Sequence, residues 1–184
     1  AEAALALIEV DYEVLEPILE PEDALKDGAP IINDGWDNNT VITIPFVEGD
    51  AEEALAEAEH VIEDTFSIHR HSTQPIETRG NMAHWETDGS LTFYGSIQNP
   101  HPLRLHLSQA LGVSESDIRV IAPFVEGGLG LKMHGHPEEA LVCILAKRVK
   151  RPVKWLEDRS ETLLIGGLEQ SHKFKVGFSS DGTI

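Results

Sequence analysis

The sequence predicts an α+β fold in which a mixed β-sheet packs against helices. Strand-like and helix-like segments follow one another without the regular alternation of doubly wound α/β folds. A hairpin signal predicts one antiparallel strand pair. A helix between the second of these strands and a further strand allows a parallel pair. The 184 residues are 41% hydrophobic and 25% charged, so the chain can bury a core and lacks the composition of a disordered protein.

The first 50 residues are predicted to hold little regular structure. A short helix end over 1–7 precedes a strand over 8–15, where apolar and acidic residues alternate. Residues 16–50 show no sustained period and contain four prolines, which is typical of a linker or a surface arm. Residues 41–46 are expected to form one extended segment within it.

Regular elements are predicted from residue 51 onward. A short Ala/Glu helix over 51–60 leads into a strand over 61–69. Two further strands, 81–86 and 91–97, are joined by the turn sequence TDGS at 87–90, which is a strong hairpin signal.

The next helix follows the hairpin directly. Asn99 is placed to cap it, leucines recur at helical spacing as far as Leu111, and Gly112 ends it. A short strand over 118–122 comes next. Because a helix separates the strands 91–97 and 118–122, they are expected to run parallel, so that the segments following them meet at one sheet edge.

The last part of the sequence contains its clearest helix. Pro137 opens it with two glutamates in the first turn, basic residues crowd its other end, and the all-apolar run 140–146 predicts that it is buried. A strand over 153–156, a brief helix after the charged turn 157–159, and a strand over 173–178 complete the chain.

Acidic residues are concentrated at the start of the chain. The formal net charge is −18, and the first 68 residues contain 19 acidic residues and one basic residue, Lys26. Nucleic acids and anionic membranes are bound mainly through Lys and Arg. The charge distribution therefore excludes both as partners.

Cys143 is the only cysteine. This excludes an internal disulfide, a cysteine zinc site and an iron–sulfur cluster within the chain, and it favours a reducing, cytoplasmic setting. The longest apolar run, 140–146, is too short to span a membrane, and no signal peptide opens the sequence. Because the first residue is Ala1 and not methionine, we expect a processed or excised chain.

Residues 126–130 (EGGLG) form a glycine-rich turn. The spacing fits neither a P-loop nor a dinucleotide-binding fingerprint, because Met133 stands where each motif continues. Two interpretations remain: a plain turn, or a loop whose backbone N–H groups approach an anionic or oxo group closely.

The histidines and the cysteine give weaker signals. His69 with His71, and His134 with His136, have spacings that could bind a metal, but no acidic residue completes either pair. Hydrogen-bonded or solvated histidines are therefore favoured. Cys143 lies in the apolar helix, the setting of an inert thiol, and the acidic pair that opens this helix is explained by the helix dipole.

A series of short motifs begins after residue 50. They are His71, 75–80 (PIETRG), 96–101 (SIQNPH), 104–112, 118–123, 127–132 (GGLGLK), 137–139 (PEE), 151–155 (RPVKW) and 157–159 (EDR). In this order and spacing they resemble the molybdenum-binding portion of the large subunit of the xanthine dehydrogenase/aldehyde oxidase family of molybdenum hydroxylases. The resemblance implies the first part of a molybdopterin-binding domain over 51–184. It also implies that 1–17 is the last helix and strand of a hammerhead domain and 18–50 an acidic linker.

The resemblance also implies site residues. The amide of Gln98 would contact an oxo ligand of the molybdenum, and the backbone of Gly128, Leu129 and Gly130 would approach the oxo group and the pterin. Neutral amides can bind an oxo group without competing for the metal. Met133 would line the substrate pocket; purine-oxidising members have a glutamate at this position, which argues against a purine substrate.

Two loop positions depart from the family pattern. Leu129 stands where the family has phenylalanine, and Glu126 stands where a third glycine is usual. Because glutamate disfavours a positive φ, we expect either a locally different loop or weakened cofactor binding.

The resemblance implies a molybdenum-cofactor enzyme that oxidises an aldehyde or an N-heterocycle with oxygen from water. Its partners would be the remainder of the large subunit and the iron–sulfur and FAD modules that receive the electrons. The family's catalytic glutamate and most of its pterin contacts lie outside the matching motifs. We therefore expect no catalytic residue or direct metal ligand here, and neither activity nor bound molybdopterin for the isolated chain. The alternative is a non-catalytic structural or protein-binding domain that retains the fold.

Overall fold

The computed structural model describes residues 2–133, 135–165 and 167–184. Contacts divide the chain into two units, one formed by residues up to 69 with 169–184, and one formed by 70–168. In chain order the helices are α1 (Glu2–Leu5), α2 (Pro21–Ala24), α3 (Ala51–Glu57), α4 (Pro100–Leu111), α5 (Pro137–Val149) and α6 (Arg159–Leu164). The strands are β1 (His60–Ile68), β2 (Gly80–Trp85), β3 (Leu91–Gly95), β4 (Ile118–Ile121), β5 (Val153–Leu156) and β6 (Gln170–Phe178).

The unit 70–168 contains a mixed sheet with the strand order β4-β3-β2-β5. Strands β2 and β3 form the predicted hairpin, and β5 pairs antiparallel with the other edge of β2. Strand β4 pairs parallel with β3, with Leu91 opposite Ile118, because α4 carries the chain back to the start of the sheet. The predicted α+β class, mixed sheet and parallel pair are confirmed.

Helices α4 and α5 pack against this sheet. The buried core contains Ala83, Leu91, Phe93, Ile97, Leu103, Leu107, Ile118, Val142, Cys143 and Ala146. Gly112 ends α4 in the left-handed conformation (φ 65°), as predicted. Asn99 occupies the N-cap position of α4 as predicted, but its side chain makes no capping bond and its Nδ2 donates to the Met133 carbonyl at 3.3 Å.

Burial of α5 differs from the prediction. Val142, Cys143 and Ala146 are buried, but Leu141 and Ile144 are 52% and 48% exposed. A sheet covers only one side of a helix, so an all-apolar helix keeps one apolar face open unless a further layer covers it. The prediction of a wholly buried helix is therefore wrong within the described part of the chain. Burial of Cys143 is confirmed and raises the pKa of its thiol to about 12, as an inert thiol requires.

The other unit contains a two-stranded antiparallel ladder of β1 and β6, with His60 opposite Phe178. Helix α3 contacts β6, and Asp50 caps α3 by accepting a hydrogen bond from the Glu53 N–H at 3.0 Å. Both strands were predicted, although β6 begins three residues earlier than expected.

Two predicted extended segments do not become strands. Residues 8–15 and 41–46 form no ladder with any segment of the described chain, and an isolated strand leaves its backbone groups without partners. Local hydrogen bonds organise part of the intervening arm: Asn39 accepts from the Ile32 N–H at 2.9 Å and donates to the Pro30 carbonyl at 2.9 Å. Among the described residues, no helix is long and apolar enough to cross a membrane.

The stability of the parent is expected to decline as pH rises from about 5 to 7, and Glu139→Gln should remove this decline. Burial raises the pKa of Glu139 to about 7 from an ordinary 4.5, so the folded chain holds a proton that the unfolded chain releases. Stability therefore falls as pH rises through this window and is level above it. Glutamine is neutral and keeps an acceptor for the His136 N–H, which lies 2.5 Å from Glu139 Oε2. Above about pH 7 the variant should be more stable by at most about 3 kcal/mol.

Urea unfolding at mildly acidic and mildly alkaline pH checks this expectation. A Glu139→Gln chain whose stability still fell with rising pH as steeply as that of the parent would contradict it.

Candidate cofactor site

The candidate site lies where the parallel strands β3 and β4 end. Gln98 follows β3, and the glycine loop, residues 126–132, follows β4 after a short connection. Because the two strands run in the same direction, their carboxyl ends share one edge of the sheet. Open sheets bind ligands at such edges, and the structure brings these two segments together as the sequence predicts.

Gln98 is held against the glycine loop by two hydrogen bonds. Its Oε1 accepts from the Gly130 N–H at 3.1 Å, and its own N–H donates to the Lys132 carbonyl at 2.9 Å. A Cβ atom added to Gly128 would lie 2.3 Å from Gln98 Cδ, closer than real Cβ contacts. Only glycine at 128 therefore allows the loop to approach this amide so closely.

The loop backbone leaves donors available. Turns are closed by the Leu131 N–H to the Gly128 carbonyl at 2.9 Å and the Met133 N–H to the Gly130 carbonyl at 3.3 Å. The described residues offer no acceptor to the backbone N–H groups of Gly127, Gly128 and Leu129. Successive free N–H groups of this kind, in a loop with left-handed residues, form concavities that bind anions.

Glu126 does not adopt a positive φ, so the loop avoids the strain expected of a glutamate in that conformation. The non-glycine residue with a positive φ in the loop is Leu129 (φ 50°), flanked by Gly130 (φ 83°). A non-glycine residue in this region costs roughly 1–2 kcal/mol, so the strain falls on the position where the family has phenylalanine. The Glu126 N–H donates to Glu77 Oε2 at 3.0 Å, which makes Glu126 an anchor of the loop.

Glu77 accepts three hydrogen bonds on one oxygen. Its Oε2 binds Ser96 Oγ at 2.5 Å, the Glu126 N–H at 3.0 Å and Lys132 Nζ at 2.8 Å. Burial alone would raise the pKa of Glu77, but the hydrogen bonds from Lys132, Ser96 and the Glu126 backbone outweigh it and lower the pKa. Glu77 is therefore ionised, as the ammonium of the fully buried Lys132 side chain requires.

A buried ion pair lies in the segment that carries Glu77. Glu157 Oε1 accepts from Arg79 Nε at 3.0 Å and Nη2 at 2.8 Å, and Oε2 accepts from the Arg79 N–H at 3.1 Å. Arg159 adds hydrogen bonds to the Pro75 carbonyl at 2.9 Å and the Ile76 carbonyl at 2.8 Å. The segment 75–80 is thus fixed on both sides of Glu77.

Glu77, Arg79 and Lys132 lie within the sequence motifs, but the sequence alone gives none of them a role. Their partners are 19 to 78 residues away, so no local spacing could reveal the contacts. Met133 directly follows the loop with 45% of its surface exposed.

The structure offers little support for a histidine metal site. His136 Nε2 is hydrogen-bonded to the Leu131 carbonyl at 3.0 Å, and His69 Nδ1 lies 3.7 Å from Glu169 Oε1. His134 lies outside the described residues. Within the described ranges, no group of three or more histidine, cysteine or acidic side chains is assembled to hold a metal.

Comparison with known proteins identifies the family. A sequence model of the molybdopterin cofactor-binding domain matches residues 32–184. The nicotine 6-hydroxylase large subunit of Paenarthrobacter nicotinovorans is 40% identical over 167 residues, which cover 90% of this chain and 20% of that protein. The carbon monoxide dehydrogenase large chain of Afipia carboxidovorans is 32% identical over 174 residues, which cover 87% of this chain and 22% of that protein.

A solved structure extends the match to the fold. Quinoline 2-oxidoreductase from Pseudomonas putida 86 matches with a TM-score of 0.82 and 34% identity, over 98% of this chain and 23% of that one. The chain therefore spans between a fifth and a quarter of these relatives. It belongs to the molybdopterin cofactor-binding domain family and corresponds to part of the molybdopterin-binding large subunits of the xanthine dehydrogenase/aldehyde oxidase family.

Proposed function

We propose that this chain forms part of the molybdenum-cofactor site of a large subunit that oxidises an N-heterocycle or an aldehyde with water-derived oxygen. The observation that carries the proposal is the amide of Gln98 packed against a loop with three available backbone N–H donors, at the edge shared by β3 and β4. This geometry supports the roles that the family resemblance implies for Gln98, Gly128 and Leu129, whereas the N–H of Gly130 is already bonded to Gln98.

The donor set suits a molybdenum cofactor. Oxo and pterin groups accept hydrogen bonds, and the site offers neutral amide donors, which do not compete as ligands for the metal. The Oε1 atom of Gln98 is engaged by Gly130, so its Nε2 is the group that can donate to an oxo ligand. When bound, the cofactor supplies the two-electron oxidation and the oxygen transfer.

The residues of this chain act by holding and orienting. With the cofactor bound, backbone donors of the loop would hold its anionic groups, and Gln98 would orient an oxo group without carrying charge. Preorganised donors need no rearrangement during the reaction, which is why the close contact of Gly128 with Gln98 matters.

Met133 and two of the similar proteins support a narrower proposal for the substrate. A methionine cannot donate or accept the strong hydrogen bonds with which a carboxylate would recognise a purine edge. Two of the similar proteins act by name on nicotine and on quinoline, both N-heterocycles. These observations favour an N-heterocycle without the polar pattern of a purine.

Partners are proposed from exposed apolar surface. The outer face of α5 carries Leu141, Ile144 and Val149, each about half exposed, and Leu156 on β5 is 62% exposed. Patches of this kind mark interaction sites, which fits burial against the remainder of the large subunit. Iron–sulfur and FAD modules would receive the electrons, and the reduced, buried Cys143 fits a cytoplasmic enzyme. We further propose a hammerhead end at 1–17, a linker at 18–50 and the cofactor domain from 51.

Gln98→Ala in the complete enzyme tests the proposal. Loss of a preorganised donor should lower kcat about 10²- to 10³-fold. Gln109→Ala, at an exposed position of α4, is the matched control and should leave kcat unchanged. Metal analysis of the parent enzyme should give stoichiometric molybdenum. An enzyme without molybdenum would instead support a non-catalytic domain, and an unchanged kcat in Gln98→Ala would remove Gln98 from the site.

A further inference from the structure

We infer that Glu77 is a positioning residue that sets the place of the glycine loop and of Gln98 at the cofactor. The inference rests on the proposed function for the meaning of that place, but the arrangement itself is visible in the chain. One carboxylate oxygen joins the end of β3, the start of the loop and the end of the loop.

Glu77 holds the loop at both ends. The Glu126 N–H, where the chain enters the glycine turn, and Lys132 Nζ, where it leaves, bind the same oxygen at 3.0 and 2.8 Å. The residues between these anchors include the backbone donors of Gly127, Gly128 and Leu129. The position of these donors therefore depends on Glu77 Oε2, because this one atom binds both ends of the loop.

The same oxygen fixes the strand that carries Gln98. Ser96, two residues before Gln98, donates its hydroxyl to Glu77 at 2.5 Å. Lys132, held by Glu77, accepts the Gln98 N–H on its carbonyl at 2.9 Å. Gln98 is thus connected to Glu77 in two ways, through Ser96 and through Lys132.

Charge and burial make Glu77 hard to replace. The Lys132 side chain is fully buried, and among the described residues the carboxylate of Glu77 is its ion-pair partner. Glu77→Gln removes the counter-charge from this buried ammonium, which strongly destabilises such a site. Three protein donors fill Oε2 of Glu77, so this oxygen acts on the loop and not on a substrate.

The test separates the ion pair from the positioning. Glu77→Gln removes one charge, whereas Glu77→Gln/Lys132→Met removes both and leaves no buried charge unpaired. We expect the double variant to recover most of the lost thermal stability but not the ordered loop. Amide hydrogen exchange at Glu126, Gly130 and Leu131, whose N–H groups are hydrogen-bonded in the parent, should be about tenfold faster than in the parent for both variants. Glu115→Gln, a carboxylate that pairs with Arg104 outside this cluster, is the control and should change this exchange less than twofold.

A second readout connects the loop to the cofactor. In the complete enzyme, the molybdenum(V) electron paramagnetic resonance spectrum should change in Glu77→Gln/Lys132→Met and stay as in the parent in Glu115→Gln. Unchanged loop exchange in the double variant, or equal changes in the Glu115→Gln control, would overturn the inference while leaving the proposed function intact. If the molybdenum(V) spectrum were also unchanged in Gln98→Ala, the proposed function would be rejected, and with it the role of Glu77 toward a cofactor.

Discussion

Replacing Gly128 with alanine is expected to lower kcat of the complete enzyme about 10²-fold with little change in stability. The added Cβ would lie 2.3 Å from Gln98 Cδ and 2.5 Å from its Cγ and Oε1. Gln98 is exposed and can swing away, so the protein should remain folded within about 1 kcal/mol of the parent. The amide would then no longer lie where the loop holds it, and small misplacements of this kind lower rates strongly.

A double-mutant cycle gives this prediction its sharpest form. Gln98→Ala makes room for the new methyl group, so adding Gly128→Ala to it should lower kcat little further. Gly89→Ala in the hairpin turn is the control, because it places alanine at φ 90° with no neighbour within 4 Å. That control should lose some stability through backbone strain and keep kcat. If the losses in kcat of the two single variants added in the double variant, the proposed steric clash between residues 128 and 98 would be contradicted.

Local patterns in the sequence predict most of the fold. The β2–β3 hairpin, the leucine spacing of α4 and its glycine stop depend on neighbours in the chain, and each is confirmed. The parallel pairing of β3 and β4 also follows, because a helix between two strands returns the chain in the same direction. That pairing places Gln98 beside the glycine loop.

Features that depend on distant partners were missed. Residues 8–15 have a strand pattern but no ladder partner among the described residues, and the pattern cannot show whether a partner exists. The apolar run of α5 indicates burial on all sides, whereas the sheet covers only one. Glu77 binds donors up to 55 residues away, so its role in the site appears only when the chain is folded.

Breaking the ion pair between Arg79 and Glu157 is expected to destabilise the chain more than any other single change discussed above. Both side chains are buried, with 2% and 0% of their surfaces exposed, and Arg79 also lies 5.3 Å from the Trp155 ring centre. Arg79→Met leaves the Glu157 carboxylate buried without its ion-pair partner, which costs about 3–5 kcal/mol. Glu157→Gln should cost less, because the Arg79 guanidinium keeps a second contact, at 3.4 Å, with Glu138 Oε2. Urea unfolding of the chain measures this loss.

The double variant Arg79→Met/Glu157→Gln distinguishes a buried charge from a lost contact. It removes both charges, and glutamine can still accept the backbone N–H of residue 79, so stability should return to within about 2 kcal/mol of the parent. Arg104→Met breaks a pair with Glu115 in which both side chains are about 40% exposed, and this control should cost less than about 1 kcal/mol. Equal losses in the single and double variants would contradict the buried-charge explanation.

The same pair predicts how the chain responds to acid. Burial alone would raise the pKa of Glu157, but the hydrogen bonds from the Arg79 guanidinium and backbone outweigh it, so the pKa lies below its ordinary value. A lowered pKa means that the pair's contribution is complete above the unfolded pKa and is lost as pH falls through the folded pKa. The parent should therefore lose stability steeply below about pH 4, and Arg79→Met/Glu157→Gln should lose it less steeply. An identical acid profile in the two proteins would show that other carboxylates, and not Glu157, govern unfolding in acid.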